Sequence, residues 1–348
     1  MTQNILITGI TGFVGSHLAD LILKKGFTVY GLKRWHLSKM RNVRHISDKI
    51  KWIDCDITDP ISVRNALKIS KPDKIFHLAA ESFVSPSWNH PSHYIDVNYK
   101  GTVNILDSMR DLEMKSRILI PGSGEEYGEI HENELPITED SILRPVNPYA
   151  VTKIAQDLIA NVYFVSYGIN VIRVRSFNHE GPRRDNVFGI PWYAYQIAKI
   201  EQGLQEPEIK TGHTGDKRNF THIQDLVEAY WVAMEKCNPG ELYLIGSDET
   251  EKIYTYREII DKLISISSID TLKNSFRRFT RFNRLESKTR CNVDSRFGAS
   301  SDSISACTSK VKGTEASPSS LTLSIGSKRR VMPIFRTSSP KLPIFEII

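Results

Sequence analysis

The chain has little that would tie it to an oxidising or a membrane environment. Its 348 residues contain four cysteines, Cys55, Cys237, Cys291 and Cys307. They lie too far apart in sequence for a zinc cluster or a dithiol motif, so no metal is expected. They read as reduced thiols of a cytoplasmic protein. No run approaches the roughly 20 consecutive apolar residues that span a bilayer, so no membrane partner is expected. Residues 4–8 already read as a strand, which leaves no room ahead of them for a signal peptide. Charge of one sign is also scarce. The net charge is +6, and much of the excess falls late, at Arg277, Arg278, Arg281, Arg284, Lys328, Arg329 and Arg330. No nucleic-acid-binding motif accompanies it, so nucleic acid is not an expected partner. A modest basic surplus does suit a phosphorylated small ligand. Hydrophobic and charged fractions of 40% and 25% are those of a globular protein.

What is present is an alternation of short β-rich runs with amphipathic stretches. Strands are predicted at residues 4–8, 28–32, 51–54, 74–78, 117–121 and 170–175. Helices are predicted at 15–25, 61–69, 97–112 and 149–167. That order predicts an α/β fold, a Rossmann-type doubly wound parallel sheet. After Phe177 the pattern turns to loops rich in Gly, Pro and Arg, with helices at 194–202 and 223–235. This predicts a smaller C-terminal substrate-binding lobe over the carboxyl ends of the strands. The expected organisation is a dinucleotide-binding domain over 1–176, a lobe over 177–270, and an atypical Ser-, Thr- and Arg-rich tail over 271–348 that reads as poorly packed.

Gly9, Gly12 and Gly15 stand at G-x-x-G-x-x-G spacing between the first strand and the first helix. Glycine permits the tight turn and close backbone approach, and the helix start offers free N–H groups to a pyrophosphate. Glycines alone could serve a turn and nothing else. The flanking strand and helix favour a dinucleotide site. The second strand ends in Lys33 and Arg34 with no acid nearby. An acid there would hold the ribose hydroxyl of NAD, whereas bases favour the 2′-phosphate of NADP.

Tyr149 and Lys153 lie four residues apart at a predicted helix start, hence on one face. An ammonium beside a phenol is expected to lower its pKa toward working pH, making Tyr149 a proton acceptor or donor. A second constellation, Ser123-Gly124-Glu125-Glu126-Tyr127-Gly128, follows a predicted strand and so sits at the same sheet edge. There a hydroxyl can orient a sugar oxygen, and a carboxylate can take a proton acidified by a ketone. Adjacent acids are also ordinary loop polarity.

Together these stretches resemble the extended short-chain dehydrogenase/reductase family, and within it the GDP-mannose 4,6-dehydratases. Further matching stretches are Asp54 to Asp59, Phe76 to Ser82, and Phe177-Asn178-His179-Glu180-Gly181-Pro182-Arg183-Arg184. The likeness covers residues 4 to about 268. It implies catalytic roles for Ser123, Glu125, Tyr149 and Lys153. It implies NADP contacts for Gly9, Ile10, Thr11, Gly12, Phe13, Val14, Gly15, Arg34, Asp56, Ile57, Leu78, Ala79, Ala80, Ser82, Tyr149, Lys153, His179 and Arg184. Ser123, Glu125, Asn178 and Arg218 would then meet the nucleotide sugar, GDP-mannose or its 4-keto derivative. The family likeness also suggests a homodimer or homotetramer. Ser123 departs from the usual threonine, and Glu125-Glu126 looks like the sister GDP-4-keto-6-deoxymannose reductases. Glu125 is common to both groups, and the likeness of the Pro182-Arg183-Arg184 stretch to the dehydratases makes NADP-dependent dehydration of GDP-mannose the favoured activity. The reductase, an epimerase and an inactive nucleotide-binding homologue stay open. A shifted reading frame near residues 268–274 would account for the tail.

Overall fold

The computed structural model describes residues 3–247 and 253–268, with the backbone of 280–281. The predicted tail otherwise lies outside the described residues, as do Cys291 and Cys307. Seven strands form one parallel sheet. They are β1 (Asn4–Thr8), β2 (Thr28–Lys33), β3 (Ile50–Asp54), β4 (Lys74–His77), β5 (Arg117–Ser123), β6 (Val171–Ser176) and, by the numbering of the chain, β10 (Leu242–Ile245). The order across the sheet is β10-β6-β5-β4-β1-β2-β3, so the chain starts in the middle and winds outward both ways. Between strands run α1 (Phe13–Lys24), α2 (Pro60–Ser70), the short α3 (Pro91–Tyr94), α4 (Gly101–Asp111) and α5 (Pro148–Tyr167).

Strand side chains divide between the two faces as the two-residue period requires. Ile5 and Ile7 join Leu119, Ile172 and Val174 in one buried cluster. Leu6 joins Ile75, Ile118, Ile120 and Val171 in the other. Strands apolar on both faces belong in a sheet covered on both sides. Helix ends follow local chemistry. Asn147 caps α5 by accepting from the Ala150 N–H at 2.8 Å, Pro148 takes its first turn, and Gly168 ends it in the left-handed region at φ 67°.

The predicted helix over 97–112 is not regular. It begins at Pro91 and passes through a π-helical stretch at Ile95–Lys100 before α4. Asn98 sits in that stretch, fully buried. Its side chain accepts from the Glu81 N–H at 2.8 Å and donates to the Glu81 carbonyl at 3.0 Å. The extra residue in the turn points Asn98 inward, which apolar periodicity does not register.

Past β6 the chain forms β7 (Asn178–Glu180), α6 (Gly189–Glu201), β8 (Lys210–Thr211), β9 (Lys217–His222), α7 (Ile223–Lys236), β11 (Ile253–Thr255), α8 (Tyr256–Ile266) and β12 (Thr280–Arg281). α6 and α8 pack Ile190, Tyr193, Ile197, Ile260 and Leu263 into a third cluster beside the sheet's carboxyl edge. β11, β9 and β7 make a small mixed sheet below them. Two elements of this segment join the main sheet instead. α7 covers its face through Leu226, Val227 and Tyr230, and β10 pairs in parallel with β6. The sequence reading ended the sheet at six strands, because β10 follows a segment whose other elements pack elsewhere.

Phe76 is fully buried in β4 between the faces of α1 and α7. Phe76→Ala should lower the unfolding free energy by about 3–5 kcal/mol, as large-to-small changes in closed cores do. Urea denaturation of the two proteins measures it, and a change near zero would mean the site relaxes freely.

Candidate active site

The carboxyl ends of β1, β2, β4, β5 and β6 open onto one cavity of about 740 Å³. At its floor lies the turn between β1 and α1. Gly9 adopts φ 68°, and a Cβ there would stand 2.7 Å from the Ala79 nitrogen. A Cβ on Gly15 would fall on the Gly9 carbonyl and 2.7 Å from the Ile10 Cα. Gly12 is the N-cap of α1 and offers no side chain to its first turn. Open N–H groups at a helix start, in a cradle that any side chain would fill, fit a dinucleotide pyrophosphate.

A segment of the later chain folds over this turn. Asn42 donates to the Thr11 carbonyl at 3.4 Å and to the Arg183 carbonyl at 3.3 Å. The His179 ring stacks on Phe13 at 6.0 Å, and the Arg184 guanidinium lies over Phe188 at 4.1 Å and Phe13 at 5.4 Å. His179 Nδ1 donates to the Phe177 carbonyl at 2.9 Å. Burial, aided by Arg184, pushes the His179 pKa down to about 4, so the ring is neutral at physiological pH. Glu180 lines the same wall. Burial raises its carboxyl to about 7 against the opposing charge of Arg184, 3.4 Å away.

The opposite wall carries Ser123, Glu125, Tyr149 and Lys153. β5 ends at Ser123, whose Oγ accepts the Glu125 N–H at 3.2 Å, while its N–H donates to Glu126 at 2.7 Å. Glu125 is half-buried, and Asn147 donates to its carboxylate at 3.1 Å. Glu126 points the other way, into the protein, where it meets Arg175 at 2.8 Å. Arg175 also contacts Asp157 at 2.5 Å, and Asp157 meets Arg173 at 3.1 Å. The two adjacent acids therefore differ in kind, one facing the cavity and one neutralised behind it.

Tyr149 and Lys153 are 8% and 4% exposed on the first turns of α5. Lys153 donates to the Pro121 carbonyl at 2.5 Å and to Gln156. Burial lowers its pKa to about 8, opposed by Glu126 and Asp157. The expectation that the ammonium lowers the Tyr149 phenol is corrected by the structure. Burial pushes that phenol above its ordinary value, Glu126 and Glu125 push it the same way, and only a hydrogen bond with Ser123 opposes them. Desolvation is the largest of these effects, and it disfavours the phenolate.

The cavity gathers nearly every predicted residue: Gly9, Thr11, Gly12, Phe13, Val14, Gly15, Arg34, Asp56, Ile57, Leu78, Ala79, Ala80, Ser82, Asn178, His179 and Arg184 all line it. Two do not. Ile10 turns into the core, fully buried, with its methyls under Gly31. Arg218 on β9 lies outside the lining, near Asp216 at 3.5 Å and donating to the Lys217 carbonyl at 2.9 Å. Sequence reasoning missed Ser38, Arg41, Asn42, Phe188, Tyr230 and Tyr256, which also line the cavity. Tyr230 shares a hydrogen bond with Ser176 at 2.8 Å. It comes from α7, more than fifty residues beyond the strand it touches, and no motif marks it. Among the described residues no group of three or more His, Cys, Asp or Glu is placed to hold a metal, and no helix is long and apolar enough to cross a membrane.

A sequence profile described as GDP-mannose 4,6 dehydratase matches residues 6–312. It extends past residue 268, where the quoted likeness was expected to stop. GDP-6-deoxy-D-mannose reductase of Pseudomonas aeruginosa is 31% identical over 270 residues, 78% of this chain and 82% of that protein. GDP-mannose 4,6-dehydratase of Vibrio cholerae is 32% identical over 268 residues, 74% of this chain and 69% of that protein. The solved structure of RMD from Pseudomonas aeruginosa complexed with NADPH superposes with a TM-score of 0.67 at 29% identity, covering 77% of this chain and 84% of that one. Fold and site thus define an extended short-chain dehydrogenase. Within that class, the chain belongs to the GDP-mannose 4,6 dehydratase family.

Arg175 neutralises two buried carboxylates, so Arg175→Met should cost about 3–5 kcal/mol by leaving them uncompensated. Without it the folded-state pKa of Glu126 rises further above its unfolded value, since Arg175 is the largest cause holding it down. The protonated carboxyl then favours the folded state. The loss should be greatest at neutral pH and shrink as pH falls toward the unfolded carboxylate value. Denaturation midpoints across pH measure this, and a pH-independent loss would contradict it.

Proposed function

We propose that the protein is an NADP-dependent GDP-mannose 4,6-dehydratase. The Pro182-Arg183-Arg184 stretch, whose two arginines line the cavity, favours this reading over the reductase, and the chemistry rests on Glu125. It is a half-buried carboxylate held by Asn147, on the same cavity wall as Ser123 and Tyr149. Reduction of a ketone needs only a proton donor, whereas dehydration also needs a base at the neighbouring carbon.

Ser123 orients the C4 oxygen of the hexose, and Tyr149, ionised once positive charge brought into the cavity offsets its burial, takes its proton. Two of the three N–H bonds of Lys153 go to Pro121 and Gln156, and the third serves the developing phenolate. A nicotinamide dinucleotide held by the Gly9 to Gly15 turn would supply reversible hydride storage between C4 and C6 of the hexose. The C4 ketone acidifies the C5 proton, Glu125 removes it, and the C6 hydroxyl leaves as water with the proton from Glu125. As hydride reaches C6, Tyr149 returns the proton it took to C5, so atoms balance with the loss of one water, a regenerated phenolate and no net use of cofactor. Positioning both the phenol and the base around one ring converts two steps into unimolecular ones.

NADP is favoured by the rim beyond β2, where Arg34, Ser38, Lys39 and Arg41 line the cavity, Arg41 meeting Asp185 at 3.2 Å. Lys33, the other base at that strand end, is engaged by Asp54 at 2.5 Å. The Pseudomonas neighbour holds NADPH. A reductase acting on the 4-keto sugar is the second reading. It is favoured by the adjacent acids Glu125 and Glu126 and by the greater coverage of the Pseudomonas reductase.

A homo-oligomer is supported by the outer face of α5. Val151, Leu158, Val162 and Val165 are 52%, 51%, 47% and 72% exposed and form one apolar stripe along it. A charge at its centre, Val162→Glu, should shift the protein to monomer in analytical ultracentrifugation. A wild type already monomeric would remove this part of the reading.

Incubated with NADP⁺ and GDP-mannose, the protein should yield a product lighter by one water without accumulating NADPH. Glu125→Gln should lower that turnover by about 10²–10⁴ while leaving NADP⁺ affinity in place. Unchanged GDP-mannose, with NADPH consumed one for one on a 4-keto sugar, would favour the reductase instead.

A further inference from the structure

The proposed chemistry uses the Lys153 ammonium, and the protein beneath it specifies how that ammonium is aimed. Lys153 donates to Gln156 Oε1, and Gln156 Nε2 donates to Thr102 Oγ1 at 2.7 Å. The Thr102 hydroxyl spends its one proton on the Asn98 carbonyl at 2.7 Å. Its oxygen can therefore only accept from His77 Nε2, 3.0 Å away. His77 is neutral, because burial and the charge of Lys153 push its pKa down to about 3. With its proton on Nε2, Nδ1 must accept, and it takes the Thr8 hydroxyl at 2.9 Å. The Thr8 oxygen in turn accepts the Ala79 N–H at 3.0 Å.

One arrangement of protons satisfies every link from Lys153 to Thr8. Thr8, His77, Thr102, Gln156 and Lys153 are 0%, 1%, 0%, 1% and 4% exposed, so water cannot repair a broken link. The chain ends where the glycine turn begins, since Thr8 precedes Gly9 and Ala79 is the residue Gly9 packs against.

We infer that Gln156 is the positioning residue of the Lys153 ammonium, tied through Thr102, His77 in its Nε2–H form and Thr8 to the phosphate-binding turn. The inference rests on Lys153 being the working partner of Tyr149. Gln156 is not itself one of the residues lining the cavity and reaches it through Lys153. The charged groups facing Lys153 are Glu126, from the turn after β5, and Asp157, from α5. Arg175 of β6 engages both of them, and neutral His77 faces from β4.

The test reads the ammonium directly, in full-length protein carrying ¹⁵N-lysine. A hydrogen-bonded, slowly exchanging ammonium should give a ¹H–¹⁵N correlation that Lys153→Met removes. Gln156→Met keeps the length of the side chain and removes the acceptor. It should abolish the signal or move its titration down by about one pH unit, the equivalent of one charge-assisted hydrogen bond. Gln156→Glu should restore it. An ammonium signal absent from the wild type, or unchanged in Gln156→Met, overturns the inference. If Gln156→Met does not fold, the wild-type His77 ring decides. It should show the neutral Nε2–H form between about pH 5 and about pH 8, and an Nδ1–H form or a titration in that window overturns the inference equally. No readout depends on sugar turnover, so failure of the dehydratase reading shows itself separately.

Discussion

The structure depends on one close approach, that of the Gly9 backbone to the end of β4. No side chain fits between Gly9 and Ala79, so the first strand and the fourth can bring their carboxyl ends together only with glycine there. That contact fixes the turn, the turn fixes where α1 begins, and α1 presents its unpaired N–H groups to the cavity. The residue before the turn, Thr8, reaches sideways to His77. A constraint of backbone shape in the first ten residues is thereby connected to a charged group more than a hundred and forty residues later.

Electrostatics impose the second constraint. Glu126, Asp157 and Arg175 are buried together behind β5 and β6, with the half-buried Arg173 paired to Asp157. Burying charges is costly, and mutual pairing offsets that cost only when geometry is complete. The arrangement does more than cancel itself. Glu126 accepts the Ser123 N–H and so fixes the end of β5, and with Asp157 it sustains the charge of a lysine that burial would otherwise neutralise. Tyr149 shows the other side of the same physics. In the closed, dry wall its phenol is held protonated, so proton transfer waits on charge arriving in the cavity.

Much of the fold was legible because it rests on short-range pattern. Continuous apolar runs in β1 and β5, the cap at Asn147 and the stop at Gly168 are each set by residues close together in sequence. The glycine spacing and the Tyr149–Lys153 pair were legible for the same reason. What was not legible depends on distant partners. Nothing local to Asn98 announces a π-helical turn, since its reason is the Glu81 backbone. Ile10 sits inside the glycine motif yet faces Gly31, and Arg218 follows the register of β9 away from the cavity. β10 reads as part of the second lobe until β6 supplies its pairing edge. Gln156 looks like any polar residue on a helix until Thr102 and His77 are brought beneath it.

The account's central claim is that hydride transfer, proton abstraction and water loss occur on one sugar, within one cavity, around Tyr149 and Glu125. Deuterium tracing tests it most directly. With GDP-mannose labelled by deuterium at C4, the account predicts a product that carries the label at C6 of the same molecule. Label lost to solvent or left on the dinucleotide, with C6 unlabelled, would contradict it.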